Sequence, residues 1–122
     1  MSYSISWLED GVCVKAKGIY TLEDNLKANG ELYGDPRFED LKFQIGDFTD
    51  ADTSEFTKKT ANVVGKMESV STVWNDKLRV AHITNDQELI KLIKVYEESL
   101  VNSNWVFAIF DNYDDAFEWC TE

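Results

Sequence analysis

One stretch in the middle of the chain constrains the fold more than any other. Residues 41–48 alternate between apolar and polar side chains, with Leu41, Phe43 and Ile45 on one face, as is typical of a half-buried β-strand. Acidic residues follow it, and then an apolar pattern at helical spacing, which together predict a loop and a long helix. Strand, loop and helix form the repeating unit of parallel α/β proteins, in which ligands bind near the carboxyl ends of the strands.

The long helix is predicted to begin at a capping box in residues 52–55 and to end near Trp74. Its apolar residues recur at steps of three and four, which places them on one side of the helix. This predicted stripe consists of Phe56, Thr60, Val63, Met67, Val70 and Trp74. We therefore expect Phe43 and Ile45 of the central strand to pack against the stripe.

The other segments complete an α/β pattern. They predict a hairpin turn at Asp10-Gly11, a helix over 21–34, a strand over 77–83, a helix after a capping box at 85–88, a strand over 105–110 and a helix capped by Asp111. The apolar residues of the helix after 85–88 recur on one side, which is predicted to be buried and consists of Leu89, Leu92, Ile93, Tyr96 and Leu100. The resulting order is β-β-α-β-α-β-α-β-α. Single helices between strands favour parallel, right-handed connections.

The first three strands alternate cleanly, whereas the strands of a doubly wound sheet are apolar on both faces. We therefore expect a single-wound β-α superhelix with most helices on one face. The predicted polar face carries Ser4, Ser6, Lys15, Lys17, Lys42 and Gln44. Its three lysines predict a basic stripe that is open in the monomer or meets an acidic edge of a second copy in a weak homodimer.

Composition excludes several classes of function. The 122 residues suffice for a single domain, 1–122, and its 23 acidic against 12 basic residues give a net charge of −11. Such a charge repels phosphate backbones, so no nucleic-acid partner is expected. No apolar run approaches the roughly 18 residues of a membrane span.

The expected location is the cytoplasm. The first residues lack the basic and apolar regions of a signal peptide. Cys13 and Cys120 are isolated and His82 is the one histidine, so neither a zinc site nor a disulfide framework is predicted.

Three short motifs resemble the SpoIIAA-like proteins of the STAS superfamily. They are residues 18–24 after the hairpin, Asp35-Pro-Arg-Phe38 before the central strand and residues 109–119 at the end of the chain. The resemblance implies a β-α superhelix that serves protein–protein regulation and not catalysis. In the bacterial anti-sigma-factor antagonists of this superfamily, a serine in the turn after the central strand is phosphorylated, and Thr53 and Ser54 match that position.

Thr53 and Ser54 are therefore candidate phosphoacceptors or ligand contacts. They are followed by Glu55-Phe56, where the family has a small, glycine-containing run. Both also lie in the predicted first turn of the long helix, where small hydroxyl side chains serve as caps alone. Because a phosphate would enter an acidic neighbourhood here, we expect the domain to work without phosphorylation.

Acidic residues near the predicted strand ends form a second candidate site: Asp47, Asp50, Asp52 and Asp111. Carboxylates are ligands for Mg²⁺, as in receiver domains. Receiver domains also need paired acids after the first strand and a lysine after the last, and the sequence has neither. Asp52 and Asp111 are explained as predicted helix N-caps, so we expect no metal and no cofactor.

The preferred hypothesis is a non-enzymatic regulatory or protein-interaction module. His82 has no predicted catalytic partner, and the sequence contains no nucleophile elbow or phosphate-binding loop. The alternative is a carrier or sensor that binds a small apolar or nucleotide ligand in a cavity between the sheet and the long helix. An enzyme ranks third.

Overall fold

The chain forms one five-stranded sheet with helices on both sides. The computed structural model describes residues 2–122. The elements are β1 (Tyr3–Leu8), β2 (Gly11–Ile19), α1 (Leu22–Tyr33), a 3₁₀ turn (Pro36–Asp40), β3 (Phe43–Asp52), α2 (Lys58–Ser71), β4 (Arg79–Ile83), α3 (Gln87–Glu98), β5 (Val106–Phe110) and α4 (Tyr113–Thr121). The strand order is β1-β2-β3-β4-β5, with β1 antiparallel to β2 and the other neighbours parallel. The predicted order of elements is confirmed.

The hairpin turn is built as predicted. Asp10 adopts a left-handed conformation with φ of 61°, which aspartate tolerates better than most residues. Gly11 follows it and packs directly under the ring of Phe43, where a Cβ would clash. A glycine here therefore lets the hairpin approach β3.

Three helices cover one face of the sheet. Buried residues of α1, α2 and α3 form a common core with Val12 and Val14 of β2 and Val80 of β4. The helix α4 covers the other face, where Ala116 and Cys120 pack against the sheet. Most helices thus share one face, as predicted, and the last one lies opposite.

The predicted orientation of β3 is wrong. Phe43 and Ile45 point toward α4, not toward α2. Gln44 lies in register with Val12 and Val80, on the side of the three helices, and is buried. The cause is that β3 is a central strand covered on both faces, so its alternation does not separate a buried side from a solvated one.

The predicted buried stripe of α2 is also wrong. The buried residues of this helix are Ala61, Val64, Gly65, Glu68 and Ser71. Val63, Met67 and Val70 of the predicted stripe are 36%, 45% and 61% exposed. Gly65 explains the orientation, because a Cβ there would lie 2.7 Å from the Cβ of Ser99. Small side chains let α2 approach α3 closely, and this contact decides which side is buried.

Three predicted helix caps are displaced. β3 continues to Asp52, and α2 begins after Thr57, whose side chain forms a capping box with Thr60. Asp86 caps α3 and Asn112 caps α4, each one residue after the start of the predicted cap. Adjacent residues of these loops can all accept a backbone hydrogen bond, so composition alone does not choose between them.

The predicted basic stripe is not continuous. Lys15 and Lys17 are exposed on β2, and Lys15 pairs with Asp50 at 3.4 Å. Lys42 lies at the opposite end of the sheet and pairs with Asp10 of the hairpin turn at 3.6 Å. Within residues 2–122, no helix has both the length and the hydropathy needed to cross a membrane.

Candidate functional site

A cavity lies between the sheet and the helices α2 and α3, near the carboxyl ends of β3 and β4. Its volume is about 70 Å³, which exceeds the space one water molecule needs. The apolar part of the lining consists of Phe48, Phe56, Ala61, Val64, Leu89, Leu92 and Ile93, and the polar part of Asn25, Glu68, His82 and Tyr96. Phe56 and Leu92 are half-buried and line both the cavity and a neighbouring surface groove, so the opening of the cavity lies at these two residues.

Aromatic rings form a large part of the wall. Phe48 stacks on His82 with ring centroids 6.1 Å apart, and His82 meets Tyr96 edge-on at 5.5 Å. Gly46 lies beneath these rings, and a Cβ there would lie 3.1 Å from Phe48 and 3.3 Å from His82. Because Gly46 has no side chain, the rings of Phe48 and His82 can pack against the backbone at this position.

Glu68 is a buried carboxyl group on the cavity wall. Its side chain is on the inner side of α2, and the residue is 4% exposed. The Tyr96 hydroxyl donates a hydrogen bond of 3.2 Å to Oε1 of Glu68. Burial raises the pKa of Glu68 to about 7, although the hydrogen bond from Tyr96 acts in the opposite direction. The carboxyl group therefore changes charge near neutral pH.

One polar atom of the lining, Nδ1 of His82, is buried without a hydrogen-bond partner among residues 2–122. Burial lowers the pKa of His82 to about 4, so its ring is neutral at pH 7. Because an unpaired buried polar atom destabilises the fold, atoms of this kind are places where a ligand can contribute hydrogen bonds.

The arrangement is suited to binding. The lining contains no serine, threonine or cysteine that could act as a nucleophile beside His82. No three His, Cys, Asp or Glu residues in the described part of the chain are placed to hold a metal ion. What the cavity offers a ligand is an apolar, aromatic enclosure with one ionisable carboxyl group.

The candidate residues Thr53 and Ser54 lie outside this cavity. Thr53 is 6% exposed, and its carbonyl accepts a hydrogen bond of 2.9 Å from the amide of Phe56. Ser54 is exposed. Both line a neighbouring surface groove that shares Phe56 with the cavity. They therefore lie near the mouth of the cavity and not in a helix turn.

The four candidate acids take part in separate local contacts. Asp47 accepts hydrogen bonds from Thr49 on the α4 side of the sheet. Asp50 pairs with a lysine of β2, and Asp52 accepts from the amide of Ser54. Asp111 accepts a hydrogen bond of 2.7 Å from its neighbour Asn112. None of the four lines the cavity.

Glu68 was not among the site residues predicted from the sequence. A charged residue in an amphipathic helix is normally assigned to the solvated side, and the predicted stripe of larger apolar residues reinforced that assignment. The available signal was the pair of small residues Ala61 and Gly65, which share the side of Glu68 and allow close helix packing. Tyr96, which binds Glu68, was predicted to be buried, and it is.

A second surface feature lies on the outside of α2. Val63, Met67 and Val70 are exposed there together with Lys59 and Lys66, and we call these five residues the outer α2 face. No ion pair in the described chain includes either lysine. The face is thus apolar and basic in a protein of net charge −11.

The fold is similar to that of an uncharacterized protein of the DUF3478 family from Shewanella loihica PV-4, which has a SpoIIAA-like fold. The TM-score is 0.62 at 20% sequence identity, over 97% of this chain and 91% of that chain. No family model and no curated protein matches the sequence. The likeness confirms the fold that the short motifs implied: the chain has a SpoIIAA-like fold.

Proposed function

We propose that the protein is a non-enzymatic carrier or sensor that binds a small, largely apolar molecule in the cavity between the sheet and α2 and α3. The observation that carries the proposal is the combination of apolar walls with Glu68 and His82 at one cavity. A few convergent polar groups in an apolar enclosure are typical of small-molecule sites. The position at the carboxyl ends of parallel strands agrees with where such folds bind ligands.

The cavity does not favour a nucleotide. A volume of about 70 Å³ is far below the roughly 300 Å³ at which drug-sized ligand pockets begin. No lysine or arginine lines the cavity to meet a phosphate. Of the two ligand classes considered from the sequence, the geometry therefore supports the small apolar one.

Native mass spectrometry of protein purified from its own host tests this proposal. We expect a mass increment that disappears on denaturation and corresponds to a small organic molecule. The control is the same measurement on Ala61→Leu, because the larger side chain would occupy part of the cavity. This variant should show the mass of the protein alone. A retained molecule that is equally present in Ala61→Leu would place the binding site elsewhere.

A protein-interaction module is the second candidate function, and the outer α2 face favours it. Exposed apolar residues grouped on one helix face mark interaction surfaces, and the unpaired lysines suit an acidic partner. Val70→Glu should weaken a specific partner complex, while Val101→Glu, at a residue 76% exposed outside α2, should not. Equal effects of the two substitutions would remove the outer α2 face from consideration.

We also propose that the protein forms a weak homodimer through the uncovered side of β1 and β2, where Lys15 and Lys17 are exposed. Their charge would meet acidic surface of a second copy, and salt should weaken such a contact. Sedimentation velocity at low and high salt tests this. A monomer at all concentrations in both conditions would refute it.

A further inference from the structure

We propose that the ligand of the cavity is a small organic cation, a primary or methylated amine, whose nitrogen lies against Glu68 and whose alkyl part contacts the aromatic wall. This inference rests on the proposed function, because it names the chemical class that the same cavity would take. It is carried by three features of the lining: its charge, its aromatic rings and its size.

The charge of the lining selects against anions. Glu68 is the one acidic residue of the lining, and no lysine or arginine accompanies it. No ion pair in the described chain includes Glu68. A ligand carboxylate or phosphate would meet this carboxylate without a compensating cation, whereas an ammonium group would supply the missing counter-charge.

The rings of the lining suit a cation as well. Phe48, Phe56 and Tyr96 present aromatic surface to the cavity, and Tyr20 supports the two phenylalanines with centroids at 5.8 and 6.0 Å. Ammonium groups are attracted to the faces of such rings, and aromatic enclosures with a carboxylate recognise methylated amines. Neutral His82 adds Nδ1, which can accept a hydrogen bond from an N–H donor when the ring proton is on Nε2.

The size of the cavity limits the cation. A volume of about 70 Å³ corresponds to roughly five groups of water size, if each needs about 15 Å³. Trimethylamine, tetramethylammonium and n-butylamine fall in this range. Longer chains would have to extend through the mouth between Phe56 and Leu92.

Every other titratable group that faces Glu68 is neutral near pH 7. These groups are Tyr33 from α1, Tyr96 from α3, His82 from β4 and Tyr20, which follows β2. Burial raises the pKa of each tyrosine and lowers that of His82. The charge of the cavity therefore depends on Glu68, and binding of a cation should favour its ionised form and release a proton.

Isothermal titration calorimetry with four probes tests the class of ligand. Tetramethylammonium and n-butylamine are the cations, and butyrate and 1-butanol are the anionic and neutral probes of similar size. We expect both cations to bind at pH 8 at least tenfold more tightly than either other probe. We expect the affinity for tetramethylammonium to fall at least fivefold between pH 8 and pH 6. Because tetramethylammonium cannot titrate, this fall reports the protonation of a group on the protein, Glu68.

The matched variants are Glu68→Gln and, as a control, Glu98→Gln at an exposed position of α3. Glu68→Gln should lose at least tenfold in affinity for tetramethylammonium and keep its affinity for 1-butanol, while Glu98→Gln should behave as the wild type. If Glu68→Gln does not fold, the pH dependence of tetramethylammonium binding to the wild type decides whether the Glu68 carboxylate binds the cation.

The outcomes separate the two proposals. Equal binding of cations and 1-butanol, unchanged by pH, would overturn the cation proposal and leave the small-ligand function intact. Stronger binding of butyrate at low pH would replace the cation by a carboxylic acid. Binding of none of the probes would overturn both.

Discussion

The hydroxyl of Tyr96 donates a hydrogen bond of 3.2 Å to the carboxyl group of Glu68, and this bond joins α3 to α2 beside the cavity. Both residues are almost fully buried. A buried carboxylate that accepts a hydrogen bond but has no ion-pair partner lowers the stability of the fold. Such a group at a cavity is a candidate for a role in binding.

The first prediction concerns the dependence of stability on pH. Burial raises the pKa of Glu68 to about 7 in the folded protein, from its ordinary value of 4.5. The unfolded chain therefore loses this proton first as pH rises. The protonated Glu68 side chain therefore contributes fully to the stability of the fold below pH 4.5, and this contribution is lost as the pH rises toward 7.

Glu68→Gln should remove this loss. The stability of the variant relative to wild type should increase by about 3 kcal/mol between pH 4.5 and pH 8, since 1 pKa unit corresponds to about 1.4 kcal/mol. Urea unfolding at several pH values measures it, with Glu98→Gln as the control. A constant difference between Glu68→Gln and wild type across this range would contradict a raised pKa at Glu68.

The second prediction concerns the two faces of β3. Ile45 is fully buried against α4, so Ile45→Ala should cost about 2–5 kcal/mol. Gln44 is 8% exposed and its Oε1 is unpaired, so Gln44→Leu should be close to neutral or stabilising. Urea unfolding of both variants gives the comparison. A large loss for Gln44→Leu would mean that Oε1 of Gln44 is satisfied in solution.

The third prediction concerns the approach of α2 to α3. A Cβ at Gly65 would lie 2.7 Å from Ser99 and 2.9 Å from the carbonyl oxygen of Tyr96. Gly65→Ala should therefore cost about 1–3 kcal/mol by displacing α3. Gly30→Ala in α1, where no atom lies within 4 Å, is the control and should stabilise by up to about 1 kcal/mol. Stabilisation by both changes would contradict the close packing.

These residues also show which parts of the structure can be predicted from sequence. The hairpin, the order of elements and the buried side of α3 follow from turn residues and periodicity, which are local properties. The faces of β3 and α2 depend on what covers them. β3 lies between α4 and three other helices, and α2 turns its smaller residues inward because Gly65 meets Ser99. The apolar periodicity of β3 and of α2 reveals neither contact.

The candidate site was predicted only in part. The cavity lies at the edge of the sheet where ligand contacts were expected from the sequence, and His82, the one histidine, lines it. Glu68 was not chosen because its burial depends on the contact of α2 with α3, which joins residues far apart in the chain. The acids that were chosen lie in loops, where exposed carboxylates are common and have local partners.

The fourth prediction is that the domain works without phosphorylation. Thr53 is buried in the turn after β3, and Ser54 lies beside Asp52 and Glu55. A phosphate at either residue would meet carboxylates and no arginine that is near in sequence. Intact-mass spectra of native protein should show no added phosphate, and Thr53→Ala/Ser54→Ala should bind 1-butanol as the wild type does. A phosphate at either residue together with lost binding in the variant would contradict this prediction.

The most direct measurement of the central claim, that the cavity binds a small apolar molecule, is an NMR titration with 1-butanol. Amide shifts in the wild type should concentrate at Val64, Leu89 and Ile93, which line the cavity. Ala61→Leu should abolish them by filling the space, while Asn62→Leu, at the next and exposed position, should retain them. Shifts that are located elsewhere, or that persist unchanged in a folded Ala61→Leu protein, would contradict the claim.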